Sequence, residues 1–324
     1  MPGILSRLSR TTALCLMACV PLATTAQTSS PTSIVITAPP GGAADMLARV
    51  VGMKLAPLID QTVIVENRPG ANATIGTRVV SQAKPDGKTL LLVDRTTVAA
   101  NPLLFDKLPY DPQDITGVSD VAKLSFLFVV GNDTPYQTWE EMVAYARANP
   151  GKITVGSSGV GSGMHLSMEL IARALGTSFT HVPYTGMAPA MQDVLAGNTD
   201  AVISGPEVVI PHLNSGKLRV LASGGDERHP MMPNVPTMRE LGFDEPLLLP
   251  VSFAIYAPRG TPEPTISSLN ASLRKVMSDP EIVERLTTAG LQPSVSSPGE
   301  VAETTAQLAT RLEAVIREIG LKPN

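Results

Sequence analysis

Two glycine-rich runs hold the residues of this chain best suited to chemistry, Pro39-Pro40-Gly41-Gly42 and Ser157-Ser158-Gly159-Val160-Gly161-Ser162-Gly163. Each follows a short strand-like run and precedes apolar residues recurring at helical spacing. A strand, a glycine turn and a helix in that order leave unpaired N–H groups and the positive end of the helix dipole at the turn. Such a turn suits an anion, and glycine lets the ligand come close to the backbone. For one run alone, a tight turn with no ligand is the simpler reading; a second run of the same kind shifts the balance toward a binding site. The second run adds the hydroxyls of Ser157, Ser158 and Ser162. Neither run is a nucleotide loop, because no Gly-Lys-Ser/Thr closes it and Met164 stands where G-x-G-x-x-G needs its last glycine. No serine fits a G-x-S-x-G elbow.

Other side chains fall near these turns with two readings each. Asp45 either caps its helix or holds a water under a ligand. Tyr184 either closes its ring over a ligand or is an ordinary aromatic at a strand end. Asp94-Arg95-Thr96-Thr97 lies just past the carboxyl end of a strand, the rim where open α/β sheets bind ligands. There Arg95 meets a carboxylate and Asp94 an amine, or the two form a surface ion pair of little energy. His165 either bonds a loop carbonyl at its helix start or contacts ligand. The four histidines, His165, His181, His212 and His229, show no i, i+4 pair and no cysteine partner, so no metal site is expected; with no nucleophile on a recognisable elbow, no catalytic residue is expected either.

The elements that position these groups alternate. Ile34–Ile36, 62–65, 89–93, 126–130, 153–156, 179–182, 200–203, 219–222 and 252–256 read as strands. Helices are expected from Ala43, over 71–83, 139–148, 165–175, 188–195, 206–213, 265–277, 280–289 and 298–319. Alternation of this kind implies parallel sheets covered on both faces, and 101–116, rich in Pro and Asp, reads as loop.

Residues 1–26 carry Arg7 and Arg10, then an apolar run over Ala13–Leu22, then small residues, which is the pattern of a signal peptide cut after Ala26. Leu16-Met17-Ala18-Cys19 also resembles a lipobox, which would anchor the chain through Cys19. Cys15 and Cys19 are the only cysteines, so a chain cut after Ala26 has no thiol chemistry. The remaining 298 residues exceed one ordinary core, and two lobes are expected, 31–128 plus 251–324 and 129–250. Without the leader, 23 basic residues face 29 acidic ones, a net charge of about −6. That balance and the absence of Lys/Arg runs argue against a nucleic-acid partner.

These motifs, taken together, resemble the Bug-type receptors of tripartite tricarboxylate transport systems. The likeness runs through Pro39-Pro40-Gly41-Gly42 with Asp45 and Arg49, Val65-Glu66-Asn67-Arg68-Pro69-Gly70-Ala71, Ser157-Ser158-Gly159 with His165-Leu166, and His181-Val182-Pro183-Tyr184 with Gly186. It continues through Gly216-Lys217-Leu218-Arg219 and Ala257-Pro258, covering nearly the whole mature chain. The resemblance implies an α/β, two-lobed periplasmic binding protein of Venus-flytrap type, with a mixed β-sheet flanked by helices in each lobe. It implies a monomeric receptor that delivers a small carboxylate (dicarboxylate, acidic amino acid or aromatic acid) to an inner-membrane permease, with no cofactor. The ligand would meet Pro40, Gly41, Gly42, Asp45, Arg95, Thr96, Thr97, Ser157, Ser158, Gly161, Ser162, His165, Tyr184, Thr185, Gly186 and Ser204. Asp94-Arg95, Thr185 in place of a common lysine, and Ser204-Gly205 depart from the family pattern at positions expected to face the ligand. A ligand-presenting sensor and a secreted hydrolase are the competing functions.

Overall fold

The computed structural model describes residues 30–319 and 321; the expected leader, with Cys15 and Cys19, lies outside them. The chain opens as β1 (Thr32–Ile36), α1 (Ala43–Ile59), β2 (Val63–Asn67), α2 (Thr74–Ser81), β3 (Thr89–Asp94), α3 (Arg95–Leu104) and β4 (Ile115–Ser125). It continues as β5 (Leu127–Gly131), α4 (Trp139–Ala148), β6 (Thr154–Ser157), α5 (Gly163–Leu175), β7 (Thr180–Pro183), α6 (Met187–Leu195), β8 (Ala201–Ser204), α7 (Pro206–Val209) and β9 (Leu218–Ser223). It closes with β10 (Pro250–Pro258), α8 (Glu263–Met277), α9 (Pro280–Thr288), β11 (Gln292–Pro293) and α10 (Pro298–Ile319).

These strands form two sheets, ordered β11-β4-β10-β3-β1-β2 and β7-β6-β8-β5-β9. Both sheets are mixed, as the family resemblance implies, and the strand–helix alternation accounts only for their parallel parts. Only β2-β1-β3 and β7-β6-β8 are parallel; β10 runs antiparallel to β3 and β4, and β5 to β8 and β9. The antiparallel strands are those through which the chain enters or leaves a sheet. Ile34, Ile36, Leu90 and Leu92 of the parallel part are fully buried, as strands covered on both faces require. Leu47, Val50, Val51 and Leu55 of α1 supply one of those covers.

The chain crosses between sheets at Phe126, which alone separates β4 from β5. The expected lobe boundary at 128/129 therefore falls inside β5, because two strands one residue apart leave no compositional break. Helix α10 begins against β4 and runs on to α5 of the other sheet, where Leu312 and Ile316 pack with Ala99, Leu104, Leu166 and Leu249. It joins the two lobes by apolar contact.

Two more expectations fail locally. The segment 101–116 is not all loop, since α3 continues to Leu104 through Pro102. Asn101 is buried there and exchanges hydrogen bonds with Asn72, its side chain donating to the Asn72 carbonyl at 2.9 Å and accepting from Asn72 Nδ2 at 2.8 Å. The helix expected from residue 71 starts at Thr74, because Ala71, Asn72 and Ala73 all hold positive φ (45°, 48° and 69°). Left-handed backbone in three successive non-glycine residues stores strain, and it aims the Asn72 side chain at the second sheet.

Candidate ligand-binding site

Helix α1 starts at Gly42, whose backbone is extended (φ −92°) and supplies no side-chain cap. A Cβ built on Gly41 or on Gly42 meets nothing within 4 Å, so the turn borders open space. Asp45 neither caps the helix nor points outward. It accepts from Gly41 N at 3.1 Å, pairs with Arg49 at 2.8 Å and accepts from Asn67 Nδ2 at 3.0 Å. The Arg49 guanidinium, against the opposing effect of burial, holds its carboxyl below the usual carboxylate range. Asp45 thus fixes the turn and uses the Gly41 N–H. Pro40, exposed, lies at the turn's outer edge.

The Ser/Gly turn is built differently. Ser162 caps α5 and accepts from His165 N at 3.3 Å, while its hydroxyl donates to the Gly159 carbonyl at 2.8 Å. Gly161 N donates to His165 Nδ1 at 3.0 Å. The histidine therefore bonds a loop N–H, not the expected carbonyl, and the Gly161 N–H is spent inside the turn. Ser157 shares a 2.7 Å hydrogen bond with His181 Nε2, and the rings of His165 and His181 stack 3.9 Å apart. Burial, with the neighbouring His165 second, pushes the His181 imidazole down to about 4. Ser158 is half-buried and free of any hydrogen bond among those described for the turn.

The third wall comes from α6. It begins at Gly186, again with no side-chain cap. A Cβ on Gly186 would stand 2.9 Å from Pro39 Cγ, so this turn of the second lobe touches the first glycine turn directly. The Tyr184 hydroxyl is engaged within its own lobe: Oη bonds Asp193 at 2.7 Å and Thr199 at 2.8 Å. Thr185 is exposed beside it. Ser204 ends β8, fully buried, with its hydroxyl donating to the Gly205 carbonyl at 3.2 Å.

Arg95 does not join these groups. Its Nη1 lies 3.3 Å from Asp120 of β4 and bonds Thr304 of α10, so the side chain faces the helix that straps the lobes. Asp94 caps α3, accepting from Thr96 N at 2.9 Å, and burial pushes its carboxyl up to about 6. Thr96 approaches the other lobe, its methyl 3.6 Å from where a Gly163 Cβ would be; Thr97 is half-buried on the next helical position.

Three contributors escaped sequence reasoning. Asn72 Nδ2 reaches the Gly161 carbonyl at 3.5 Å, a contact between lobes; an asparagine among small residues after Pro-Gly was its only signal. Pro39 meets Gly186 as described. Glu207 folds over Gly205 with Oε2 buried and unpartnered, and burial pushes its carboxyl up to about 7. Among the described residues no group of His, Cys, Asp or Glu could hold a metal ion, and no helix is long and apolar enough to cross a membrane.

The arrangement presents two uncapped helix starts, α1 and α6, on opposite sides of a contact between lobes. The chain matches the profile of the tripartite tricarboxylate transporter family receptor over residues 47–321. It is 33% identical to Protein BugT of Bordetella pertussis over 294 residues, 90% of each chain. The solved structure of the periplasmic binding protein BugD superposes with a TM-score of 0.83 at 28% identity, covering 91% of this chain and 99% of that one. Rpa4515 of R. palustris, solved with adipate, superposes with a TM-score of 0.85 at 29% identity, covering 91% and 98%. The chain thus belongs to the tripartite tricarboxylate transporter receptors, as a two-lobed periplasmic solute-binding receptor of the Bug type.

Proposed function

We propose that this receptor captures a small carboxylate between its lobes and passes it to the membrane permease of a tripartite tricarboxylate transporter. One observation carries the reading: α1 and α6 both start at glycine, both lack a side-chain cap, and the Pro39–Gly186 contact brings the two starts together. Free N–H groups at two helix starts replace the water that a carboxylate loses, without a buried cation. The adipate held by the R. palustris relative supports a dicarboxylate. The proposed halves of the clamp are lobes 31–128 plus 251–324 and 129–250, with the first boundary moved back to Phe126. Gly42, Gly186, Ser158 and Thr96 are the proposed contacts, with Asp45, Asn67, Ser162 and His165 holding the turns that present them.

A thermal-shift screen of the mature protein against mono- and dicarboxylates tests this. A ligand at a hundred times its Kd stabilises the fold by roughly 2.7 kcal/mol, a rise of about 2 °C or more for a chain of this size. Silence from every carboxylate, with sugars or cations active, rejects the reading. Export is proposed through cleavage before Gln27; mass spectrometry showing a lipid-modified Cys19 instead would assign a tethered receptor.

A further inference from the structure

A cavity of about 300 Å³ lies between the start of α3, the start of β10 and the middle of α10, and none of the glycine turns lines it. Its polar wall is Arg95, Thr96, Ser252, Thr304, Gln307 and Arg311. Thr304, Gln307 and Arg311 stand at i, i+3 and i+7, one face of α10 turned inward.

Arg95 is the feature that asks for a ligand. It is nine-tenths buried, at 9% exposure, yet only Nη1 is engaged, and Nε has no partner. Its ion pair with Asp120 is long, at 3.3 Å, and Asp120 Oδ1 is itself without a hydrogen bond. A buried guanidinium with donors left over is costly; Nε itself is enclosed, so an oxyanion in the cavity would be met by the remaining guanidinium donors, with Nε–H as a reporter beside them. Asp120 and the neighbouring Asp94 set two carboxylates against the single charge of Arg95, so the cavity needs a second cation to favour an anion. Arg311 supplies it: its only described partner is Glu245, whose side chain is 83% exposed and readily displaced.

We propose that this cavity, which meets the cleft at Thr96 but is lined by neither of its helix starts, is a second carboxylate site in which a small dicarboxylate bridges Arg95 and Arg311. Because α10 packs on both lobes, an anion there ties α3 and β10 of the first lobe to the strap that reaches α5. The volume sits at the low end for ligand pockets and suits a three- or four-carbon diacid. The site is independent of the cleft reading above and stands or falls without it.

The test follows the Arg95 Nε–H resonance while malonate is titrated into the mature protein, with calorimetry in parallel. The resonance should shift saturably in the wild type and equally in Gly42→Val, where the cleft is blocked. Arg311→Glu, a change at a partly exposed position, should weaken malonate at Arg95 by on the order of tenfold or more. The proposal is overturned if the resonance does not move, if it moves alike in Arg311→Glu, if Gly42→Val abolishes the shift, or if inorganic phosphate moves it and malonate does not.

Discussion

At Gly42 an added Cβ enters open space from a backbone at φ −92°, whereas at Gly161 it starts 2.6 Å from Leu104 Cδ1 at φ +76°. The two glycines therefore answer to different demands, ligand approach at the first and chain geometry at the second. Gly42→Val should keep the cooperative fold and lose carboxylate binding by about tenfold or more, read by calorimetry beside a melting curve. Gly161→Val should lose about 1–3 kcal/mol of stability in urea titration, ligand or no ligand. Glu207 offers a residue-scale test of stability. Its folded carboxyl, at about 7, lies above the ordinary 4.5, so the penalty is absent below pH 4.5 and full above pH 7. Glu207→Gln should then raise stability at pH 8 by roughly 2–3 kcal/mol and leave it unchanged at pH 4.5. Equal urea midpoints at pH 8 would show that the carboxylate is relieved in some other way.

At the scale of elements, the histidine pair links β7 to α5 through stacking and a bond to Ser157. The His181 imidazole in the fold, at about 4, lies below its ordinary 6.5, so the unfolded chain takes up the proton first. Stability is complete above pH 6.5 and falls as pH drops toward 4. His181→Gln should flatten that decline in urea midpoints measured between pH 7 and 5; parallel slopes would assign the acid sensitivity to other groups. The same elements show what the sequence made legible. The β1–α1 and β6–α5 units were readable because β-branched runs, glycines and helical spacing agree at each. Strand β4 was not, since Gly117, Ser119 and Asp120 break its apolar pattern. Those positions are buried because Ser119 bonds the Ser296 carbonyl and Asp120 pairs with Arg95, partners far along the chain. Helix α3 was hidden by Pro102, tolerated through packing against α10. In the site, the turns were readable but their wiring was not: sequence places Arg95 on the rim, and only Asp120 and Thr304 reveal which way it faces.

Across the whole molecule, the lobes meet at Pro39–Gly186 and again where Pro206 lies against Gly290. Gly186 has an extended backbone that any residue adopts, so bulk there acts on the lobe contact and not on the local fold. Gly186→Val should remain folded, show a larger radius of gyration in solution scattering with ligand present, and bind more weakly. Unchanged scattering and affinity would remove this contact from closure. The central claim is that two uncapped helix starts hold a carboxylate between the lobes against a net charge of −4, or about −6 without the expected leader. Calorimetric titration of adipate into wild-type protein and Gly42→Val, both verified as folded, tests it most directly. The account predicts one saturable cleft event in the wild type that is weakened by about tenfold or more in the variant. Equal affinity in the two proteins would contradict it.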